Sequence, residues 1–415
     1  MTGTTSLSDP LREGALELVR VLRAEGFEAY WAGGCVRDLV LGRAPKDYDI
    51  ATGAPPEVVL ATFPKAIPVG VQFGVVRVVH HGLMYEVATF RTDYGYVDGR
   101  RPSEVRWAEA REDVLRRDFT INGLLFDPVN AQVIDFVGGQ ADLAAGILRA
   151  IGDAHARFGE DALRLVRAVR FAARLGFVVA PETWQAMRAL APTVLRVSAE
   201  RVQDELTKTL TQGHPARGLE LLWQSGLGPF VLPELGGEGD VHAAITRLAH
   251  LGACEPMVGW AATLFARDGV AAQAEAKVEA VASRLKFARA LARDVTQAIV
   301  GVQNILRWPA LTVAERKRAA RLPTFAGGAL PVARTIDHAQ AEAARQEAAR
   351  WTPAELHPTP LLDGHALAAR GYRPGPAFKA ALEAVETAQL EGAVTTADDA
   401  WTVAARCLTR DPDAP

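Results

Sequence analysis

At 415 residues with 49% hydrophobic content, the chain is long enough to bury a sizeable core and, at roughly 100–200 residues per domain, to form two to four domains. A formal net charge of −3 excludes a globally basic nucleic-acid binder, so any such binding must come from local patches. Cys35, Cys254 and Cys407 stand far apart without C-x-x-C spacing, which excludes a disulfide framework or a cysteine zinc site and fits a reducing cytoplasm. The amino terminus has no basic patch followed by an apolar run, and no stretch of about 18 apolar residues occurs, so the chain reads as soluble, unprocessed and cytoplasmic.

Residues 10–25 carry Leu11, Ala15, Leu18, Val19 and Leu22 at helical spacing before Gly26, which predicts an amphipathic helix. The strand-like FEAYWA follows, then a Gly33-Gly34 turn, a short helix over CVRDLVLG and a strand over DYDIAT. Strand alternation puts Asp47, Asp49 and Ala51 on one face and Tyr48 and Ile50 on the other. FGVVRVVHHG and LMYEVATFR predict two more strands joined at Gly82, and the polar TDYGYVDGRRPSE predicts a long mobile loop between Arg91 and Pro102. From about residue 152 helical patterns take over, one of them beginning at Glu160. The expected architecture is α+β: an α/β head with a small mixed sheet over 1–148, a helical neck over 149–210, and an all-helical body and tail over 211–415.

Two same-face carboxylates on a strand suit a pair of Mg²⁺ ions, one activating an attacking hydroxyl and the other steadying a triphosphate leaving group. A bare D-x-D also occurs in sugar-nucleotide transferases and in solvated strand edges. The glycine turn strengthens the phosphate reading, because Gly33 and Gly34 expose backbone N–H groups at a helix start and Arg37 offers a bidentate contact. Glu86 is a candidate third acid, on an apolar strand where its charge needs either a metal or an ion pair with Arg77 or Arg91.

The run G-G-x-V-R-D-x-x-x-G-x-x-x-x-D-x-D, then RRDFTIN at 116–122 and EDALRLVRAVRF at 160–171, together resemble the class II tRNA nucleotidyltransferase and poly(A) polymerase family over roughly residues 28–210. That resemblance implies a nucleotidyltransferase-type head in which Asp47 and Asp49 bind catalytic Mg²⁺ and Gly34, Arg37 and Arg117 contact the nucleotide. Asp118 and Asn122 are similar to family positions near the sugar, and the E-D-x-x-R segment reads the incoming base. SAERVQDEL at 198–206 resembles the next motif, with Arg201 expected in an ion pair; Ala154 stands where family members often carry Pro.

Base selection has a physical rationale. Cytosine and adenine each present an amino donor beside a ring-nitrogen acceptor, whereas uracil and guanine present the reverse, so an Asp acceptor beside an Arg donor accepts the first pair and rejects the second. Asp161 with Arg164 meets that pattern. Arg164, Arg167, Arg170 and Arg174 fall within a third of a helix circumference, and Arg167 and Arg170 are expected to meet the triphosphate or a chain phosphate. The implied activity is template-independent addition of CCA to the 3′ end of tRNA from CTP and ATP, releasing pyrophosphate. A poly(A) polymerase or an enzyme adding only C or only A uses the same site, and a noncatalytic RNA-binding protein is the contrasting reading. The oligomeric state is not encoded in these motifs.

Overall fold

The computed structural model describes residues 9–96, 102–266, 271–372 and 374–408. The chain divides into two compact units, Met1–Thr209 with Arg217–Pro233, and Leu210–Ala216 with Glu234–Pro415.

The first unit opens with α1 (Pro10–Ala24), whose start is fixed by Pro10 in the first turn and by Asp9, whose carboxylate accepts the N–H groups of Leu11 and Arg12. Its apolar stripe, Ala15, Leu18, Val19 and Leu22, is fully buried. Then come β1 (Ala29–Ala32), α2 (Gly34–Val40), β2 (Asp49–Thr52), α3 (Pro56–Thr62), β3 (Ala66–Pro68), β4 (Val75–His80) and β5 (Leu83–Thr89). The hairpin β6 (Arg91–Tyr96) and β7 (Pro102–Trp107) precedes α4 (Ala110–Leu115), β8 (Leu124–Asp127) and β9 (Gln132–Asp135). A seven-stranded mixed sheet results, in the order β3-β4-β5-β2-β1-β8-β9, with β2 parallel to β5 and the other neighbours antiparallel. Alternation is strict where the sheet is half covered: Val76, Val78, Tyr85 and Val87 are buried while Arg77 and Glu86 are exposed.

The ladder of β2 starts only at Asp49, so Asp47 lies on the approach to the strand rather than within it. The alternation still extends back to it, with Tyr48 and Ile50 buried and Asp47 and Asp49 facing out. The segment expected as a long loop between Arg91 and Pro102 is instead mostly the β6–β7 hairpin; its tip, 97–101, lies outside the described residues. Its Gly, Asp and Pro content is what reads as a loop in the sequence.

Helices follow: α5 (Gly139–Ala145), α6 (Ala154–Glu160), α7 (Leu163–Leu175), α8 (Pro181–Leu190), α9 (Ala199–Thr211) and α10 (Pro215–Gln224), with the short strands β10 (Ile147–Leu148) and β11 (Val178–Val179) pairing in parallel. The helix expected to begin at Glu160 does not exist as such. Glu160 closes α6, Asp161 is extended at φ −146°, and α7 begins at Leu163.

The second unit is helical, with its longest helices at Arg289–Leu306, Pro376–Leu390, Glu238–Leu251 and Ala271–Arg284. Trp260 packs edge-on against Phe287 at 4.8 Å, Val258, Val281, Ile299 and Val302 of the same unit are buried, and a separate small core gathers Leu362, Leu367, Phe378 and Val385. No helix among the described residues is long and apolar enough to cross a membrane.

Candidate active site

One cleft of about 630 Å³ in the first unit is lined by Gly33, Gly34, Arg37, Lys46, Asp47, Asp49, Arg117, Asp118, Asn122, Asp161, Arg164, Arg167, Arg170 and Arg174. Every residue expected at the site is there except Glu86, which lines a smaller adjoining hollow together with Asp49 and Arg117. Residues from 33 to 174 meet because α2 leaves the end of β1 while α7 packs Phe171 on Phe119 at 5.8 Å.

The acids crowd one another. Asp49 is open to solvent at the end of β2, yet the surrounding atoms desolvate its carboxyl, and the charges of Asp47 and Glu86 add to the effect. Its pKa is pushed up to about 7, with Arg117 the opposing influence. Glu86 sits opposite Arg77 in the β4–β5 register, but its charge is felt at Asp49. Gly33 has φ +72°, and a Cβ there would come within 3.3 Å of the Arg117 guanidinium; this glycine is required by conformation as well as by space.

The cations are mostly held by acids. Arg37, 3% exposed, donates to Asn122 Oδ1 at 2.8 Å and to Asp38 at 2.8 Å, and Asn122 in turn donates to Asp118 at 3.1 Å. Arg117 bonds Asp113 at 2.9 Å, and Arg116 bonds the same carboxylate at 2.5 Å. Arg167 donates to Asp118 at 2.7 Å and to Glu205 at 3.2 Å, and Arg170 bonds the other oxygen of Glu205. Desolvation would raise Asp118, but Arg167 and Asn122 hold it below the usual carboxylate range. Arg170, with one acid and with Arg167 and Arg174 as neighbours, is depressed chiefly by desolvation. Among the described residues Arg174 and Lys46 form no ion pair, so the cleft retains cations available to an anionic ligand.

The two base-reading candidates face the cleft without pairing to each other. Asp161 takes both guanidinium nitrogens of Arg201, at 2.6 and 3.2 Å, and accepts the Leu163 N–H at 3.0 Å. Arg164 donates to Glu160 at 2.6 Å, to the Arg157 carbonyl at 2.8 Å and to the Arg116 carbonyl at 2.9 Å. Arg164, Arg167 and Arg170, expected from the sequence to meet the base and phosphates, line the cleft while also bonded to acids or carbonyls of the protein. Sequence reasoning missed Asp113 and Glu205. Asp113 was signalled by its i,i+3 and i,i+4 spacing to Arg116 and Arg117, and Glu205 by its place four residues after Arg201 on α9.

Residues 29–149 match the model of the poly A polymerase head domain, and residues 176–236 match a probable RNA- and SrmB-binding site of polymerase A. A CCA-adding enzyme of Geobacillus thermodenitrificans is 47% identical over 232 residues, 56% of this chain and 57% of that protein, so the match spans a little over half the length of such curated relatives. Among solved structures, the Bacillus stearothermophilus CCA-adding enzyme in complex with CTP is similar with a TM-score of 0.80 and 32% identity, covering 96% of this chain and 98% of that one. The Thermotoga maritima CCA-adding enzyme complexed with tRNA_CCA, 19% identical with a TM-score of 0.65 over 97% of each chain, shares the fold. With that likeness along nearly the whole of both chains, the protein belongs to the CCA-adding enzyme family of nucleotidyltransferases.

Proposed function

We propose that this chain adds CCA to the 3′ end of tRNA, using CTP and ATP without a nucleic-acid template. The observation that carries the reading is that one cleft brings Asp47 and Asp49 together with Asp161 and Arg164, a reaction centre and a base-reading edge in the same space. The terminal ribose oxygen forms a bond to the α-phosphorus, the bridging bond to the β-phosphate breaks, and pyrophosphate leaves as the hydroxyl proton passes to solvent.

The family works with a divalent metal. The residues present fit one: Asp47 and Asp49 face the cleft and Glu86 the adjoining hollow, all of them oxygen donors suited to a hard cation, and the pKa of Asp49 is pushed upward by desolvation and by the charges of Asp47 and Glu86. We assign Mg²⁺ to Asp47 and Asp49, with Glu86 beside them; it would lower the pKa of the attacking hydroxyl and neutralise charge on the leaving pyrophosphate.

The chain's own residues do the rest. Arg117, Arg170, Arg174 and Lys46 hold the triphosphate, and Gly34 lets it approach α2. Asp118 and Asn122 bond the sugar, with Arg37 and Arg167 fixing their orientation. Arg201 holds the Asp161 carboxylate while three acceptors fix Arg164, so the donor–acceptor edge for cytosine and adenine is set before the nucleotide arrives. In this proposal catalysis belongs to 1–148, base reading and RNA binding to 149–210 and tRNA binding to 211–415, in a cytoplasm that keeps the three cysteines reduced.

The test is incubation of purified protein with tRNA lacking its terminal CCA and with nucleotides singly and together. CTP alone should extend the primer by CC, CTP with ATP should complete CCA and stop, and UTP and GTP should be refused. Long A tails without C incorporation would favour the poly(A) polymerase reading that the head-domain match also accommodates.

A further inference from the structure

Glu17 on α1 and two histidines at the end of the β4–β5 hairpin take no part in the cleft. The hairpin turns on His81 and Gly82, at φ +50° and +78°, and His80 pairs with Leu83. Both central residues are left-handed, as a type I′ turn requires. Neighbouring residues on a strand point to opposite faces, but the turn carries the His81 ring back beside that of His80, with 4.1 Å between centroids. Both Nε2 atoms meet a single oxygen, Glu17 Oε2, at 2.6 and 2.9 Å.

We infer that Glu17, His80 and His81 form a surface site for a divalent transition-metal ion of the Zn²⁺ class, separate from the acids at Asp47 and Asp49. Two imidazoles and one carboxylate are a zinc donor set with the fourth position left to solvent, and imidazole favours Zn²⁺, Ni²⁺ or Cu²⁺ over Mg²⁺. The three donor atoms lie within 4.8 Å of one another. Metal bonds of roughly 2.0–2.1 Å at tetrahedral angles need donors roughly 3.3 Å apart. The present nitrogen–oxygen separations therefore have to open by less than an ångström, which rotation of the exposed Glu17 and His81 side chains supplies. The imidazoles border a hollow of about 250 Å³ that gives an ion an open side; its one lysine, Lys65, is exposed on a flexible stem. One ligand comes from α1 and two from the hairpin, so a bound ion ties α1 to β4 and β5. Glu86 lies on β5 three residues beyond Leu83, roughly 10 Å along the strand, so this tie reaches the strand that carries the third acid.

The experiment uses the full chain without an affinity tag, at fixed Mg²⁺, in an Asp47→Ala, Asp49→Ala background that removes the acid cluster as a competing site. Calorimetric titration with Zn²⁺ should give one equivalent bound, a Tm raised by a few degrees through mass action, and intense visible absorption with Co²⁺ of a tetrahedral N/O set. Glu17→Gln, His80→Gln and His81→Gln should each weaken Zn²⁺ at least roughly tenfold. Each also removes a hydrogen bond, so the readout is the metal-dependent increment in Tm rather than the metal-free value. No saturable Zn²⁺ binding, binding that survives all three substitutions, or an equal shift with Mg²⁺ would overturn the assignment.

Discussion

Individual residues in the cleft sit at opposite electrostatic extremes. Asp49 is held in a form that resists ionisation, while Asp113 and Asp118 are held in a form that resists protonation. A carboxyl whose native pKa is raised binds protons more tightly folded than unfolded, so between its unfolded value and about 7 rising pH costs stability. Asp49→Asn should therefore abolish nucleotide incorporation yet raise the metal-free Tm at pH 8, by roughly 2–4 °C if solvent screening leaves about 1 kcal/mol of the repulsion. The gain should fade toward pH 4; a variant that melts below wild type at pH 8 would mean that Asp49 is not crowded. Asp118 is the converse case. Desolvation alone would raise it, but Arg167 and Asn122 lower it, so its contribution is present at neutral pH and is lost as pH falls through the depressed native pKa. Asp118→Asn should cost about 3 kcal/mol at pH 7, because it leaves Arg167 short of a buried partner. Denaturant midpoints for the two proteins should converge below the ordinary carboxylate range.

At the scale of elements, the break between α6 and α7 matters most. An uninterrupted helix through Asp161 would carry that side chain around the helix surface; the extended residue at φ −146° instead delivers it to Arg201 on α9. Arg201→Met should keep the fold and the triphosphate contacts while freeing the Asp161 carboxylate. KM for CTP should then rise roughly tenfold, and the preference for CTP and ATP over UTP and GTP should fall by a similar factor, the scale of one lost charge-assisted bond. Unchanged selectivity with unchanged KM would show that Arg201 only joins two helices. The break also marks the limit of what the sequence made legible. α1, the strands around Asp49 and the turn at Gly82 were readable because caps, alternation and glycines act within a few residues. The break was hidden because Phe158, Ala162, Leu165 and Val169, at spacings of four, three and four, continue an apolar helical rhythm across it. The ion pairs of Arg167 and Arg170 were hidden because their acids lie 35 to 49 residues away in the chain, beyond any local pattern.

For the molecule as a whole, a net charge of −3 means that the proposed tRNA substrate has to be held by phosphate contacts gathered locally rather than by a general attraction. The cations of the first unit's cleft are largely committed to Asp113, Asp118 and Glu205, and in the proposal Lys46 and Arg174 serve the triphosphate, which leaves few there for a chain of phosphates. The second unit has its own cores around Trp260 and Phe378 and is where tRNA binding is proposed. A chain ended after residue 236 keeps the whole first unit, the cleft and both matched family segments. It should bind CTP within a few-fold of the full chain, because every cleft residue is retained. Its tRNA affinity should fall at least roughly tenfold, and the slope of log affinity against log salt should flatten by about 0.7–0.9 for each phosphate contact removed. Filter binding of tRNA across a salt series, run beside calorimetry with CTP, separates the two effects. A shortened chain with undiminished tRNA affinity and an unchanged slope would place the phosphate contacts in the first unit and leave the helices beyond residue 236 without the proposed role.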